Sequence, residues 1–361
     1  NRIPEAYFEF LFICGVPPGN DLGHQVETMP ALTIPFNANY RMVLPFLSNY
    51  RTTQQLDQFQ PDVIHIATPS PMGHFALRYA RTNNIPVISI YHTHFLSYID
   101  YYLKSTPFLI EPTKNVVAKR SKHFYDNCNL VYVPTVEMIK DLAHFGHETN
   151  HYKIWQRGLD HTLFNPTKQD QQYLKQITGN DKPNVLFVSR LVWEKNLETL
   201  VDFYQKNEAA GVPYNLLIAG DGVAESELKE RIPQAYFLGK IGHEKLSILY
   251  ASADVFLFTS ITETYGNVVV EAMASGLPCV IANGGGSKNF IEHGKNGFLC
   301  SPNDATDYFE RIQQLLSSPN LYQQFVQNGL DCTKDLDWEK LVNIYFEDLR
   351  KLVTQKVVAA A

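Results

Sequence analysis

The sequence predicts an α/β protein of two domains, each built on a doubly wound parallel sheet, and three observations carry that prediction. Short β-rich runs alternate with helix-length segments along the chain, the pattern of parallel α/β architecture. The runs are continuously apolar instead of alternating, as strands covered on both faces are. The alternation lapses once, between Gly158 and Pro183, and then starts again.

In the first half the expected strands are Phe8–Cys14, Asp62–Ile66, Pro86–Tyr91, Leu130–Val133 and Lys153–Trp155. Pro30–Pro45, rich in Pro, Asn and aromatic residues, reads as a long irregular excursion. Asp160–Lys168 and Asn180–Pro183 bracket a short helix and read as an interdomain connection, because Asn-Pro and Asp-containing clusters favour turns. The second series is Asn184–Ser189, Asn215–Ala219, Ala235–Leu238, Asp254–Phe258, Cys279–Ala282 and Gly297–Cys300. Trp338, Leu341, Val342, Tyr345, Leu349 and Leu352 then recur at helical spacing, giving a terminal amphipathic helix. The expected domains are therefore 1–160 and 161–335, with 336–361 as the closing helix.

Composition narrows the function classes. The 361 residues suffice for two cores. A net charge of −6 argues against nucleic acid as a partner, since phosphate-backbone binding wants a basic footprint. Five cysteines are scattered without metal-ligand spacing, which suits buried thiols in a reducing cytoplasm. No apolar run approaches the ~18–20 residues needed to cross a bilayer.

The most informative stretch is Thr262–Pro278. An apolar strand runs into Glu263, Gly266 sits in the following loop, a helix begins near Asn267, and Gly276 with Pro278 stops it. A helix start after a glycine-bearing loop offers unpaired backbone N–H groups and the positive end of the helix dipole, a place for phosphate. Glu263 lies at the mouth of that loop, and Glu271 is expected to reach over the same pocket toward sugar hydroxyls. Arg190 and Lys195 follow the Asn184–Ser189 strand at its C-terminal edge, where ligands bind in open α/β sheets. The guanidinium can hold two phosphate oxygens and the lysine adds a movable point charge; both are expected to be exposed.

These segments resemble the donor-binding signature of retaining glycosyltransferases of the GT-B fold, family 4. Ser189–Asn196 is similar to that family's diphosphate clamp, and Ile218–Gly222 and Tyr250–Asp254 follow at matching places. Pro61–Pro69, Tyr91–His94 and Ile154–Asp160 match a narrower branch, which contains GDP-mannose-dependent mannosyltransferases and the sulfoquinovosyl- and glucuronosyl-diacylglycerol synthases. The resemblance implies two Rossmann-like domains with a cleft between them, the last helix crossing back to the N-terminal domain. It implies transfer of a hexose from a nucleotide diphosphate sugar, GDP-mannose or a UDP-sugar, to a lipid or glycan hydroxyl. No further cofactor and no bound metal are called for.

By the same resemblance His92, Arg190, Lys195 and Glu263 form the catalytic set, with His92 facing the donor sugar. Glu263 takes a hydroxyl of that sugar and Glu271 the ribose hydroxyls. The backbone of Tyr265, Gly266, Asn267 and Val268, with Thr264 before them, approaches the diphosphate and sugar, while Gly239 and Ile241 meet the base. A histidine at a strand end is otherwise an ordinary structural residue. The N-terminal glycine-rich loop of the family is not in the sequence, which starts at Asn1 and reads as lacking its native start. Gly284-Gly285-Gly286 is expected either to let backbone approach the cleft or to form a plain flexible loop.

The aromatic run Phe95–Leu103, followed by Lys104, Lys114, Lys119, Arg120, Lys122 and His123, suits peripheral contact with anionic lipid; a buried helix followed by a solvated basic one is the alternative. The expected location is cytoplasmic, with the inner face of a membrane as one place of work. A soluble glycosyltransferase acting on a polysaccharide or small molecule, and a non-catalytic GT-B-like binding protein, are the competing functions.

Overall fold

The computed structural model describes residues 7–19, 23–34, 37–43, 49–91, 99, 106–211 and 214–360. The chain divides into two units: Asn1–Tyr91 with Glu111–Trp155 and Glu339–Ala361, and His92–Ile110 with Gln156–Trp338.

In the first unit β1 (Leu11–Cys14) pairs in parallel with β2 (Gln25–Thr28), Leu11 opposite Gln25. β3 (Ala31–Ile34) pairs antiparallel with β4 (Asn37–Val43). The expectation of an irregular excursion over Pro30–Pro45 is thus overturned. Pro30 precedes β3 without entering it, so it removes no ladder donor from the strand interior. The polar strand β2 carries no apolar run, which is why periodicity did not reveal it.

β5 (Ile64–Ile66), β6 (Val87–Ile90), β7 (Leu130–Val133) and β8 (Tyr152–Ile154) form a parallel sheet in sequence order. Around it lie α1 (Asn49–Phe59), α2 (Pro71–Thr82), α3 (Ile110–Tyr125) and α4 (Val136–His144). Ser70 caps α2 and Thr135 caps α4, each side chain accepting a bond from a backbone N–H in the first turn. One core gathers Ile66, Leu77, Val87, Val131 and Phe124. The other gathers Ile88 and Tyr132 with Phe346, Leu349 and Leu352 of the last helix. Beside the second core a buried carboxylate, Asp348, accepts from Tyr132 Oη at 2.8 Å and from Lys153 Nζ at 2.6 Å.

The second unit runs through α5 (Gln171–Thr178), β9 (Asn184–Val188), α6 (Leu197–Ala209), β10 (Asn215–Ala219), α7 (Glu225–Arg231) and β11 (Tyr236–Gly239). It continues with α8 (His243–Ser252), β12 (Val255–Phe258), α9 (Asn267–Ala274), β13 (Cys279–Ala282), β14 (Gly297–Cys300), α10 (Ala305–Leu316) and α11 (Pro319–Thr333). The chain ends in α12 (Trp338–Ala360). The six strands are parallel in the order β11-β10-β9-β12-β13-β14. Every residue of β9, β10, β12 and β13 is buried, as helices on both faces require. The strand order reverses between β9 and β12, and the crevice beyond the carboxyl ends of those two strands is where such sheets bind ligands.

Candidate functional site

β9 and β12 deliver the two loops of the site. After β9 the chain passes Ser189 and Arg190, anchors the fully buried Leu191, and makes a 3-10 turn over Trp193–Lys195. The path is held from beneath by Gly220-Asp221-Gly222: Ser189 N–H donates to the Ala219 carbonyl at 3.1 Å and Leu191 N–H to that of Asp221 at 2.8 Å. A Cβ on Gly220 would lie 1.8 Å from the Ser189 carbonyl oxygen, and one on Gly222 2.2 Å from that of Leu191. Only glycine permits this approach. Asn196 then takes the left-handed conformation at φ 56°, its side-chain amide donating to the Pro302 carbonyl at 2.7 Å.

After β12 the buried Thr259 and Ser260 lead into the loop from Ile261 to Gly266. Gly284-Gly285-Gly286 packs under this loop. Gly286 N–H donates to the Glu263 carbonyl at 2.5 Å, and a Cβ on Gly286 would meet the Thr264 carbonyl oxygen at 2.1 Å. The three glycines therefore shape the Glu263 loop, and the plain flexible loop is set aside. Gly286→Ala is expected to destabilise the protein by about 1–3 kcal/mol through overpacking. Gly242→Ala, whose new Cβ meets nothing within 4 Å, should change stability by less than about 0.5 kcal/mol. Thermal unfolding compares the two, and equal midpoints would reject the packing role.

Gly266 precedes α9 with φ +92°, and a Cβ there would strike Ser287 Cβ at 2.5 Å. The helix contains Val268, Val269 and Val270, residues of modest helix propensity. Burial of Val269, Val270, Ala272 and Met273 overrides that preference. No side chain caps α9, so its first N–H groups stay available. Asn267 Oδ1 is buried and unpartnered.

These elements enclose a cavity of about 310 Å3, lined by Arg157, Val188, Ser189, Arg190, Lys195, Phe258 and the run Thr262–Val268. Of the expected set it brings together Arg190, Lys195, Glu263, Thr264, Tyr265, Gly266, Asn267 and Val268. Gly239, Ile241 and Glu271 do not line it. His92 and His94 lie outside the described residues, as does the Phe95–Leu103 run except Ile99, which is buried.

The expected exposure holds for Arg190 and is corrected for Lys195. The Arg190 side chain is 61% exposed, with Nη2 3.5 Å from the buried Glu194 carboxylate. Lys195 is only 3% exposed. Its ammonium lies 2.6 Å from Glu263 Oε1 and donates to Thr262 Oγ1 at 3.3 Å. A buried ammonium needs such pairing, because an uncompensated charge away from water is costly. Thr262 in turn donates to the Glu194 carbonyl at 3.2 Å, tying the two loops together.

Glu271 is half-buried one turn into α9, and Tyr250 Oη donates to its Oε2 at 3.3 Å. Burial pushes its carboxyl above the usual glutamate value, opposed by the Tyr250 bond and by nearby His243. The expectation that the two glutamates face one pocket is therefore not met in this geometry: Glu263 faces Lys195, and Glu271 faces Tyr250. Arg157 was missed as a site residue, although it sits in the Ile154–Asp160 run that matches the narrower branch. Its carbonyl accepts from the buried Tyr265 hydroxyl at 3.3 Å, and burial pushes that phenol up to about 12. Thr262 opens the Thr262–Pro278 stretch but was given no role of its own; only the tertiary contacts reveal it. Among the described residues no cluster of three or more His, Cys, Asp or Glu could hold a metal.

Two family models match the chain, "Glycosyltransferase Family 4" over residues 2–163 and "Glycosyl transferases group 1" over residues 169–331. The chain is 32% identical to the sulfoquinovosyl transferase SQD2 of Arabidopsis thaliana over 80% of its own length, and spans 56% of that relative. It is 28% identical to a GDP-mannose-dependent alpha-mannosyltransferase of Corynebacterium glutamicum, over 90% of this chain and 75% of the relative. Among solved structures, sucrose-phosphate synthase from Thermosynechococcus elongatus aligns with a TM-score of 0.76 at 21% identity, covering 94% of this chain and 86% of the other. The fold is GT-B, as the sequence predicted.

Proposed function

The chain belongs to the family 4 glycosyltransferases, and from that membership we propose that it transfers a hexose from a nucleotide diphosphate sugar to a lipid or glycan hydroxyl with retention of configuration. The observation that carries the reading is the cavity itself, where Arg157, Arg190 and Lys195 stand beside the uncapped start of α9. Breaking the anomeric C–O bond makes the sugar cationic and the diphosphate more anionic, so catalysis needs fixed positive charge and N–H donors at the leaving group. Arg190 and Lys195 take the diphosphate, helped by the first N–H groups of α9. Glu263 takes a hydroxyl of the transferred sugar and Glu271 the ribose hydroxyls. Retention proceeds by front-side attack, the leaving phosphate accepting the acceptor's proton. The mannosyltransferase relative favours GDP-mannose as donor, with a UDP-sugar as the alternative. Incubating the full-length protein with a panel of nucleotide sugars and measuring hydrolysis tests this; no turnover of any donor would overturn it.

The acceptor side of the proposal is a membrane lipid. On and just before α3, Phe108 is 76%, Leu109 41% and Val116 52% exposed, an apolar edge next to cations. Lys114 pairs with Glu111 and Lys122 with Asp126, whereas Lys119 and Arg120 make no ion pair among the described residues. Among these residues no helix is long and apolar enough to cross a membrane, so the contact proposed is peripheral. Each cation near an anionic surface contributes about 1 kcal/mol. Reversing Lys119 and Arg120 should therefore weaken vesicle binding by at least roughly 30-fold, and salt should weaken it in the native protein. Flotation with neutral and anionic vesicles measures both; indifference to lipid charge would leave a soluble acceptor as the better reading.

A further inference from the structure

We propose that Glu263 is a built-in competitor for Lys195, so that a bound nucleoside diphosphate wins its third cation only against this carboxylate, and the carboxylate expels the spent nucleotide by taking the lysine back. The inference rests on the donor reading above and concerns the release half of the cycle.

Three cations line the cavity, and they are not equally available. Arg190 is largely exposed and sits at 3.5 Å from its carboxylate partner, and Arg157 makes no ion pair among the described residues. Lys195 is different: its side chain is 4% exposed and its Nζ lies 2.6 Å from Glu263 Oε1. A second N–H goes to Thr262 Oγ1. An ammonium has three donors, so one remains for a ligand, but the charge behind it is already balanced. Glu263 is the more accessible partner, with 26% of its side chain exposed, and its loop faces the cavity. It can yield without dragging Lys195 out of its buried seat.

The charge on the ligand changes during the reaction. In a nucleotide sugar both phosphates are esterified at their outer ends. Once the bond to the sugar breaks, the terminal phosphate carries the acceptor's proton; when that proton passes to solvent the product holds one more negative charge than the donor did and pulls harder on every cation. A site made only of cations would hold that product. A carboxylate that reclaims Lys195 supplies the opposing force, in a cavity where partial exclusion of water strengthens such interactions.

The test is calorimetric titration of the full chain with GDP and with UDP. Glu263→Gln keeps the shape and the acceptor oxygen but removes the charge, and it should bind the nucleotide about tenfold more tightly, within the range of coupling seen between contacting residues. Glu263→Asp, whose shorter carboxylate draws back from Nζ, should fall between it and the native protein. In a Lys195→Met background the same Glu263→Gln change should alter affinity by less than about twofold, because the contested cation is gone. Equal or weaker binding by Glu263→Gln overturns the proposal. So does an undiminished gain in the Lys195→Met background, which would mean simple repulsion. Thermal unfolding of each variant establishes that it is folded, and Glu263→Asp carries the comparison if Glu263→Gln is not. Failure of the unaltered protein to bind either nucleotide is a separate outcome, which removes the donor reading and this inference with it.

Discussion

Turnover of the nucleotide sugar should fall by on the order of 100-fold or more in Arg190→Ala and in Lys195→Met, as loss of a charge partner to a developing anion does. The two variants differ in what they cost the fold. Arg190 is mostly exposed and its bond to Glu194 is long, so its removal should leave the thermal midpoint nearly unchanged. Lys195 is buried against Glu263, and removing one partner of such a pair leaves an uncompensated carboxylate. Methionine fills the lysine's volume, which limits the loss to the charge. Initial rates under saturating donor, with unfolding curves for each protein, separate the two effects. Near-native turnover in both variants would remove the diphosphate role.

Glu271→Ala should weaken binding of free GDP or UDP by roughly 10- to 100-fold, the range for losing a hydrogen bond to a charged group. The free nucleotide is the right probe, because a ribose contact does not depend on the sugar. The pH response carries a second signature. Burial raises the Glu271 carboxyl, so it starts to take up a proton at a higher pH than an ordinary glutamate as the solution is acidified. The ionised form is the stronger acceptor for ribose hydroxyls, and nucleotide affinity should therefore fall as pH drops through that raised value. Glu271→Gln should bind more weakly at neutral pH and lack this acid limb. An acid limb that persists unchanged in Glu271→Gln would assign it to another group.

Much of the second unit was legible because its strands are continuous apolar runs. Val185–Val188, Leu216–Ala219 and Val255–Phe258 have no polar residue to confuse the period, and burial on both faces explains why. The loop of Glu263 and the start of α9 at Asn267 were also legible, since a glycine between a strand and a helix is a local signal. The β3–β4 hairpin was not. A run rich in Pro, Asn and aromatic residues signals irregular chain, whereas Pro30 stands just before the strand, and sequence alone does not say on which side of a boundary a proline falls.

The sequence by itself determined the α/β class, the family and, of the charged residues that line the cavity, Arg190, Lys195 and Glu263, because these depend on local period and on motif. Tertiary structure alone decided how those residues meet. The reversal of strand order between β9 and β12 brings Lys195 to Glu263 across 68 residues of chain, and the order in which parallel strands pair leaves no trace in any single strand. The same pairing buries the lysine that the sequence placed in the open. Close backbone approach, at Gly220 under Ser189 and at Gly286 under Thr264, gives those two neighbours their positions. Composition shows only that glycine is present. What it must admit, a carbonyl oxygen too near for any Cβ, exists only once the sheet has assembled.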